Sequence, residues 1–152
     1  MYAIASRDDL VAAVGVELGH SDWLLVDQDR VNTFADATGD HQWIHVDVER
    51  ATKESPFGGP IAHGYLTLSL VPVLASQVYK IDGARLLVNY GSNKVRFVAP
   101  VPVGSRIRLS PKITVAEPVG ENGFQVVVGQ TVEIEGADKP ALVAETITRV
   151  YY

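Results

Sequence analysis

Apolar positions recur at helical spacing over the first half of the chain and at alternating spacing over the second. Ser6 to Val14 reads as a short helix, with Ser6 as its cap, Asp8 and Asp9 in the first turn and Gly15 ending it. Ser21 to Val26 is rich in large apolar residues and reads as a first strand. Asp27 then suits an N-cap, and Val31, Phe34 and Ala35 fall at i, i+3 and i+4, a helix that Gly39 stops. Asp47 to Lys53 gives one or two further helical turns, and Pro56-Phe-Gly-Gly-Pro60 is a turn cluster. Ile61 to Tyr79 is apolar on nearly every face. Such a helix belongs inside a protein, and Pro72 in its middle removes a backbone hydrogen bond and kinks it.

From Ala84 the pattern changes. Arg85–Tyr90, Lys94–Val98, Ser105–Val115, Phe124–Glu135 and Leu142–Tyr151 alternate apolar with polar residues or are rich in Val, Ile and Thr. Short Pro- and Gly-containing turns separate them, which favours antiparallel neighbours. One long central helix followed by such a meander predicts an α+β chain in which a curved antiparallel sheet wraps the helix. No linker or repeat divides residues 1–152, so a single domain is expected, with residues 1–19 as a short N-terminal helical extension.

The chain is 47% hydrophobic and 20% charged, and its net charge of -5 with no Lys/Arg run argues against nucleic acid or an anionic membrane as partner. Absence of cysteine removes disulfides, thiol nucleophiles and thiolate metal sites together. The N-terminus carries no signal-peptide pattern. The longest apolar stretch, Ile61 to Val78, is broken by His63, Thr67, Ser69, Pro72, Ser76 and Gln77, too polar to span a bilayer. A soluble cytoplasmic protein is the expectation.

The chemistry concentrates in Phe34-Ala-Asp-Ala-Thr-Gly-Asp-His-Gln-Trp-Ile-His45. Asp40 follows a glycine, and His45 comes five residues later. A tight Gly-Asp turn and a short extended segment can aim both side chains into one space, where a carboxylate and an imidazole activate one water. That is the outline of a hydro-lyase site. Taken singly, Asp40 is also a common turn residue and His45 a common core residue. Ile61-Ala-His63-Gly64-Tyr65 opens the long helix, where a glycine N–H can meet an oxygen that gains charge; Gly64 could equally ease packing and His63 cap the helix. His41 and His45 stand four apart beside Asp40, but Gly39 and the extended pattern disfavour a helix there. With no third ligand visible, no metal site is expected.

These two stretches resemble the motifs of the MaoC-like dehydratases, which include the (R)-specific enoyl-CoA hydratases. There a Gly-Asp pair is followed by Asn-Pro, an apolar residue and His. Gly39-Asp40, Ile44 and His45 match, while Gln42-Trp43 replaces Asn-Pro. The second motif, an apolar pair and His-Gly, matches Ile61-Ala62-His63-Gly64. A serine that some (R)-hydratases use is Pro72 here, and Ser69, though near, is given no catalytic role. The resemblance covers about residues 20–152 in order and implies the hotdog fold, usually a homodimer. It implies hydration of trans-2-enoyl-CoA to (3R)-3-hydroxyacyl-CoA, with Asp40 and His45 holding the water and the Gly64 N–H holding the thioester oxygen. Gln42, His63, Tyr65, Asn89 and Gly91 are then expected to bind substrate, Trp43 to line the acyl tunnel, and Lys94 or Arg96 to meet phosphate. No cofactor is expected beyond the CoA portion of the substrate. A hotdog acyl-CoA thioesterase and a non-catalytic acyl-thioester binding module are the alternatives.

Overall fold

Ser6 opens the first helix by accepting from the Asp9 backbone N–H, as its position before Asp8 and Asp9 predicts. The computed structural model describes residues 1–152. A short strand β1 (Tyr2–Ile4) precedes that helix, α1 (Arg7–Ala12), and is followed by β2 (Leu24–Leu25). The predicted strand from Ser21 to Val26 is therefore only two residues long, paired with a later strand at the sheet edge. The next helix, α2 (Gln28–Thr38), has the expected ends: Asp27 accepts from the Arg30 N–H at 2.9 Å, and Gly39 closes it at φ 79°. This left-handed conformation strains residues bearing a Cβ, so the glycine sets where the helix stops and the Asp40 loop begins.

Two short helices follow, α3 (Trp43–Val46) and α4 (Val48–Glu54). The long helix expected over Ile61–Tyr79 is instead two pieces, α5 (Gly64–Ser69) and α6 (Val71–Ala75), with Leu70 between them. Pro72 sits in the first turn of α6, where its missing N–H costs no helical bond. Ile61 lies outside the helix and bridges Pro102.

A strand β3 (Tyr79–Ile81) pairs in parallel with β1. The remaining strands are β4 (Leu86–Phe97), β5 (Arg106–Val119), β6 (Gly123–Ile134) and β7 (Leu142–Tyr151). The two strands expected at Arg85–Tyr90 and Lys94–Val98 are one, since Gly91 and Ser92 continue the ladder through bulges. The five-stranded antiparallel sheet runs β2-β5-β6-β7-β4. It is a curled half-barrel of the hotdog type, in one domain.

The sheet's inner face packs on α5 and α6. Leu66, Leu70, Val71 and Leu74 meet Ile107, Leu109, Val132 and Leu142 in one apolar cluster. A second cluster joins Ile4, Leu10, Ala13 and Leu18 to Ile113, Val126, Val128 and Val150. Residues 1–19 thus contribute a strand and core side chains as well as the helix. One edge of the sheet, β4, is exposed along nearly its whole length. No helix is long and apolar enough to cross a membrane.

Candidate active site

The loop between α2 and α3 brings Asp40 over the start of α5. His45 stands not in an extended segment but in the single helical turn of α3, where burial leaves it 6% exposed. The turn forms because the Asp47 and His45 N–H groups reach back to the carbonyls of Trp43 and Gln42. Its backbone is tied on both sides: Gln28 donates to the His45 carbonyl at 2.8 Å, and the Ile61 N–H donates to the Ile44 carbonyl at 3.0 Å.

His45 Nδ1 lies 2.6 Å from the Ile61 carbonyl oxygen. A carbonyl only accepts, so Nδ1 carries the proton and Nε2 presents a lone pair. His63, 2% exposed, uses the opposite nitrogen: its Nε2–H donates to the Asp40 carbonyl at 2.9 Å, and its buried Nδ1 has no partner. The Asp40 carboxylate is 3.9 Å from the same Nε2 and about half exposed. The two imidazoles stack, and Phe34 covers His63 with ring centroids 5.0 Å apart. Burial pushes the His45 pKa below its ordinary 6.5; the Ile61 contact opposes this, and the neighbouring His63 adds to it.

One donor atom each from Asp40, His45 and His63 fall within 4.8 Å of one another. Two groups so spaced can both hydrogen-bond one water at ~2.8 Å. The same three donors have the chemistry to hold a divalent ion, so the third ligand that spacing left out is His63. His41 is not part of the set. Its Nε2 pairs with Asp36 at 2.9 Å on the surface, which raises the His41 pKa.

Gly64 begins α5, whose first N–H groups lack helical partners. A Cβ here would lie 3.0 Å from the Phe97 ring, which would have to give by a few tenths of an ångström to admit it. Tyr65 is 71% exposed and meets Phe97 edge-on at 5.9 Å. Gln42 precedes α3, is exposed and makes no side-chain cap. Trp43 is partly buried beneath the Arg50 guanidinium. Asn89 and Gly91 lie elsewhere, on the wall of a cavity of about 880 Å³ that includes none of Asp40, His45 and His63. Of the two cations expected to meet phosphate, Lys94 faces Glu145 at 3.6 Å and Arg96 donates to the Val95 carbonyl.

Four groups around the site had no sequence signal that marked them: the Ile61 carbonyl, Gln28, Phe34 and Phe97. Ile61 is separated from His45 by sixteen positions, and a backbone acceptor leaves no trace in side-chain pattern. Gln28 and Phe34 read only as ordinary positions of α2.

A half-barrel sheet over a short buried helix pair is the architecture of the hotdog class. The MaoC like domain matches residues 9–136, and the chain belongs to that family. It is 54% identical over 149 residues to 3-hydroxyacyl-thioester dehydratase Z of Mycobacterium tuberculosis, covering 98% of each chain. Nodulation protein N of Rhizobium leguminosarum bv. viciae is 46% identical over 148 residues, 97% of this chain and 92% of that protein. The (R)-hydratase from A. caviae involved in PHA biosynthesis superposes with a TM-score of 0.67 at 22% identity, covering 88% of this chain and 96% of its own, a likeness of fold alone. By class the protein is a hydro-lyase of MaoC type.

Proposed function

We propose that the chain adds water to trans-2-enoyl-CoA thioesters to give (3R)-3-hydroxyacyl-CoA, and runs the reverse dehydration. One observation carries this reading: the Asp40 carboxylate and a His45 ring nitrogen lie within 4.8 Å beside the first turn of α5. The dehydratase name of the 54% identical relative supports the reaction type, and the hand follows the motif resemblance to the (R)-specific hydratases.

Both partners accept from the water. Asp40 takes one O–H, the bare Nε2 of neutral His45 takes the other, and the oxygen lone pair is left facing C3 of the enoyl group. The oxygen bonds to C3, and one proton reaches C2 through this pair. The Gly64 N–H holds the thioester oxygen while it bears enolate charge. His63 fixes the Asp40 backbone, and the Ile61 carbonyl fixes the His45 ring.

The active species is a homodimer joined along β4. Leu86, Leu87, Val88, Tyr90 and Phe97 are exposed there, and an open sheet edge with apolar side chains is covered when a second copy pairs with it. Crotonyl-CoA tests the reaction. Loss of enoyl absorbance without free thiol supports hydration, whereas thiol release with the enoyl group intact assigns a thioesterase.

A further inference from the structure

Two inward-facing rows of the sheet are apolar at their ends and polar in the middle. On β6, Val126 and Val128 precede Gln130, and Val132 and Ile134 follow it. On β7, Ala144 and Val150 bracket Thr146 and Thr148. Gln130 stands opposite Ala144, Val128 opposite Thr146 and Val126 opposite Thr148, so Gln130 and Thr146 adjoin at mid-sheet and Thr148 continues the polar row one step further from Gln130. The patch falls where the two apolar clusters of the core divide. Valine would suit every one of these positions on packing grounds, and a buried amide is costly unless its polar atoms are paired.

Gln130 is 3% exposed and incompletely paired. Its Nε2 donates to Thr146 Oγ1 at 3.0 Å, while Oε1 is buried without a partner. Turning the amide over exchanges the two atoms, so one of them stays unpaired in either orientation. The hydration chemistry uses none of these three residues.

Gln130, Thr146 and Thr148 are on the wall of the 880 Å³ cavity between the helices and β4. Leu68, Val71, Ala75, Tyr79 and Leu87 supply its apolar side, and Leu68 stands one helical turn beyond Gly64. Its one cation, Lys80, is paired with Asp82, so the lining carries no cluster of cations of the kind the phosphates of CoA would call for. This end suits an acyl chain.

Building on the proposed hydration, we infer that the cavity takes the acyl chain and that Gln130 and Thr146 bind a hydroxyl carried on it beyond the reacting carbons. A hydroxyl both donates and accepts, so it pairs the amide whichever way the amide is turned. The substrates are then oxygenated acyl thioesters in preference to plain hydrocarbon ones.

Saturated acyl-CoAs of increasing length, each with and without a terminal hydroxyl, test this by calorimetric titration. They cannot be hydrated, so binding reads the subsite apart from turnover. At the matching length the hydroxyl should tighten binding about threefold to tenfold. Thr146→Val and Gln130→Leu should each reduce that ratio to one or below. Thr146→Val exchanges only a hydroxyl for a methyl and keeps the test open if Gln130→Leu fails to fold. Acyl N-acetylcysteamine thioesters should keep the preference. A hydroxyl without effect at every length, or a preference that survives both substitutions, overturns the inference. So does a preference lost with the pantetheine arm, which would give the patch to a pantetheine amide. Crotonyl-CoA hydration by the wild-type protein is scored separately. Hydration without a hydroxyl preference removes the subsite alone, and a preference without hydration removes the proposed reaction.

Discussion

His45 and His63 stack with ring centroids 3.9 Å apart and planes inclined at 25°. Two imidazolium ions at that separation repel, and burial already disfavours a charge on His45. His45 is therefore neutral at neutral pH, with the lone pair on Nε2 that hydration needs. The rate on crotonyl-CoA should stay level through neutrality and fall only below pH 6.5, the ordinary histidine value, as His45 takes up a proton. A kcat/KM profile measures this, and an acid limb centred above 6.5 contradicts it. The folded chain binds that proton less readily than the unfolded one. By the same titration, stability present above the unfolded value is lost as pH falls through 6.5 toward the lower folded value.

Gly64→Ala places a methyl 3.0 Å from the Phe97 ring. Phe97 is half-exposed and can yield, so the melting temperature should fall by only a few degrees, about 1 kcal/mol. Hydration should drop by ~10-fold or more, because the thioester oxygen loses its approach to the N–H. Adding Phe97→Ala separates the two causes. Activity that stays low keeps the oxyanion role, and full recovery would reduce Gly64 to a packing residue.

Light scattering should find a dimer at micromolar concentration. Leu86→Lys with Val88→Lys sets like charges against each other across the two-fold and should shift the equilibrium toward monomer. Asp40 and Tyr65 are exposed in the single chain, so hydration should fall with dimer loss where the proposed second copy is what excludes water from them. A fully active monomer contradicts this arrangement.

Crotonyl-CoA treated in EDTA should be hydrated at an unchanged rate, and only an R-specific dehydrogenase should oxidise the product. One water held by two groups on one side of the enoyl chain reaches one face of C3. Loss of turnover in EDTA, restored by zinc, would give Asp40, His45 and His63 to a metal instead. Oxidation only by an S-specific dehydrogenase would reverse the predicted hand.

What sequence made legible was mostly local. Asp27 and Gly39 bound their helix as expected, because capping depends on a few adjacent residues. The alternation of β5, β6 and β7 was equally plain. The turn at α3 escaped because a four-residue helix has no periodicity, so His45 reads as extended between Ile44 and Val46. The Ile61–Tyr79 run was apolar throughout, which identified a buried segment but hid the break at Leu70. At the site, Asp40, His45 and the His63-Gly64 pair were legible, whereas the Ile61 carbonyl and the Phe97 ring come from strand and loop positions that only folding brings near.

Asp40 and His45 acting on one water should be visible in a double-mutant cycle of crotonyl-CoA hydration. Asp40→Asn and His45→Gln should each lower kcat/KM by ~10²-fold or more. His45→Gln also gives up the hydrogen bond to the Ile61 carbonyl, a cost of about 1 kcal/mol that a thermal melt reads separately. The double variant should be scarcely slower than the worse single one, since either substitution already disables the shared water. Full activity in either single variant, or losses that multiply in the double variant, would mean that the two residues do not share a catalytic water.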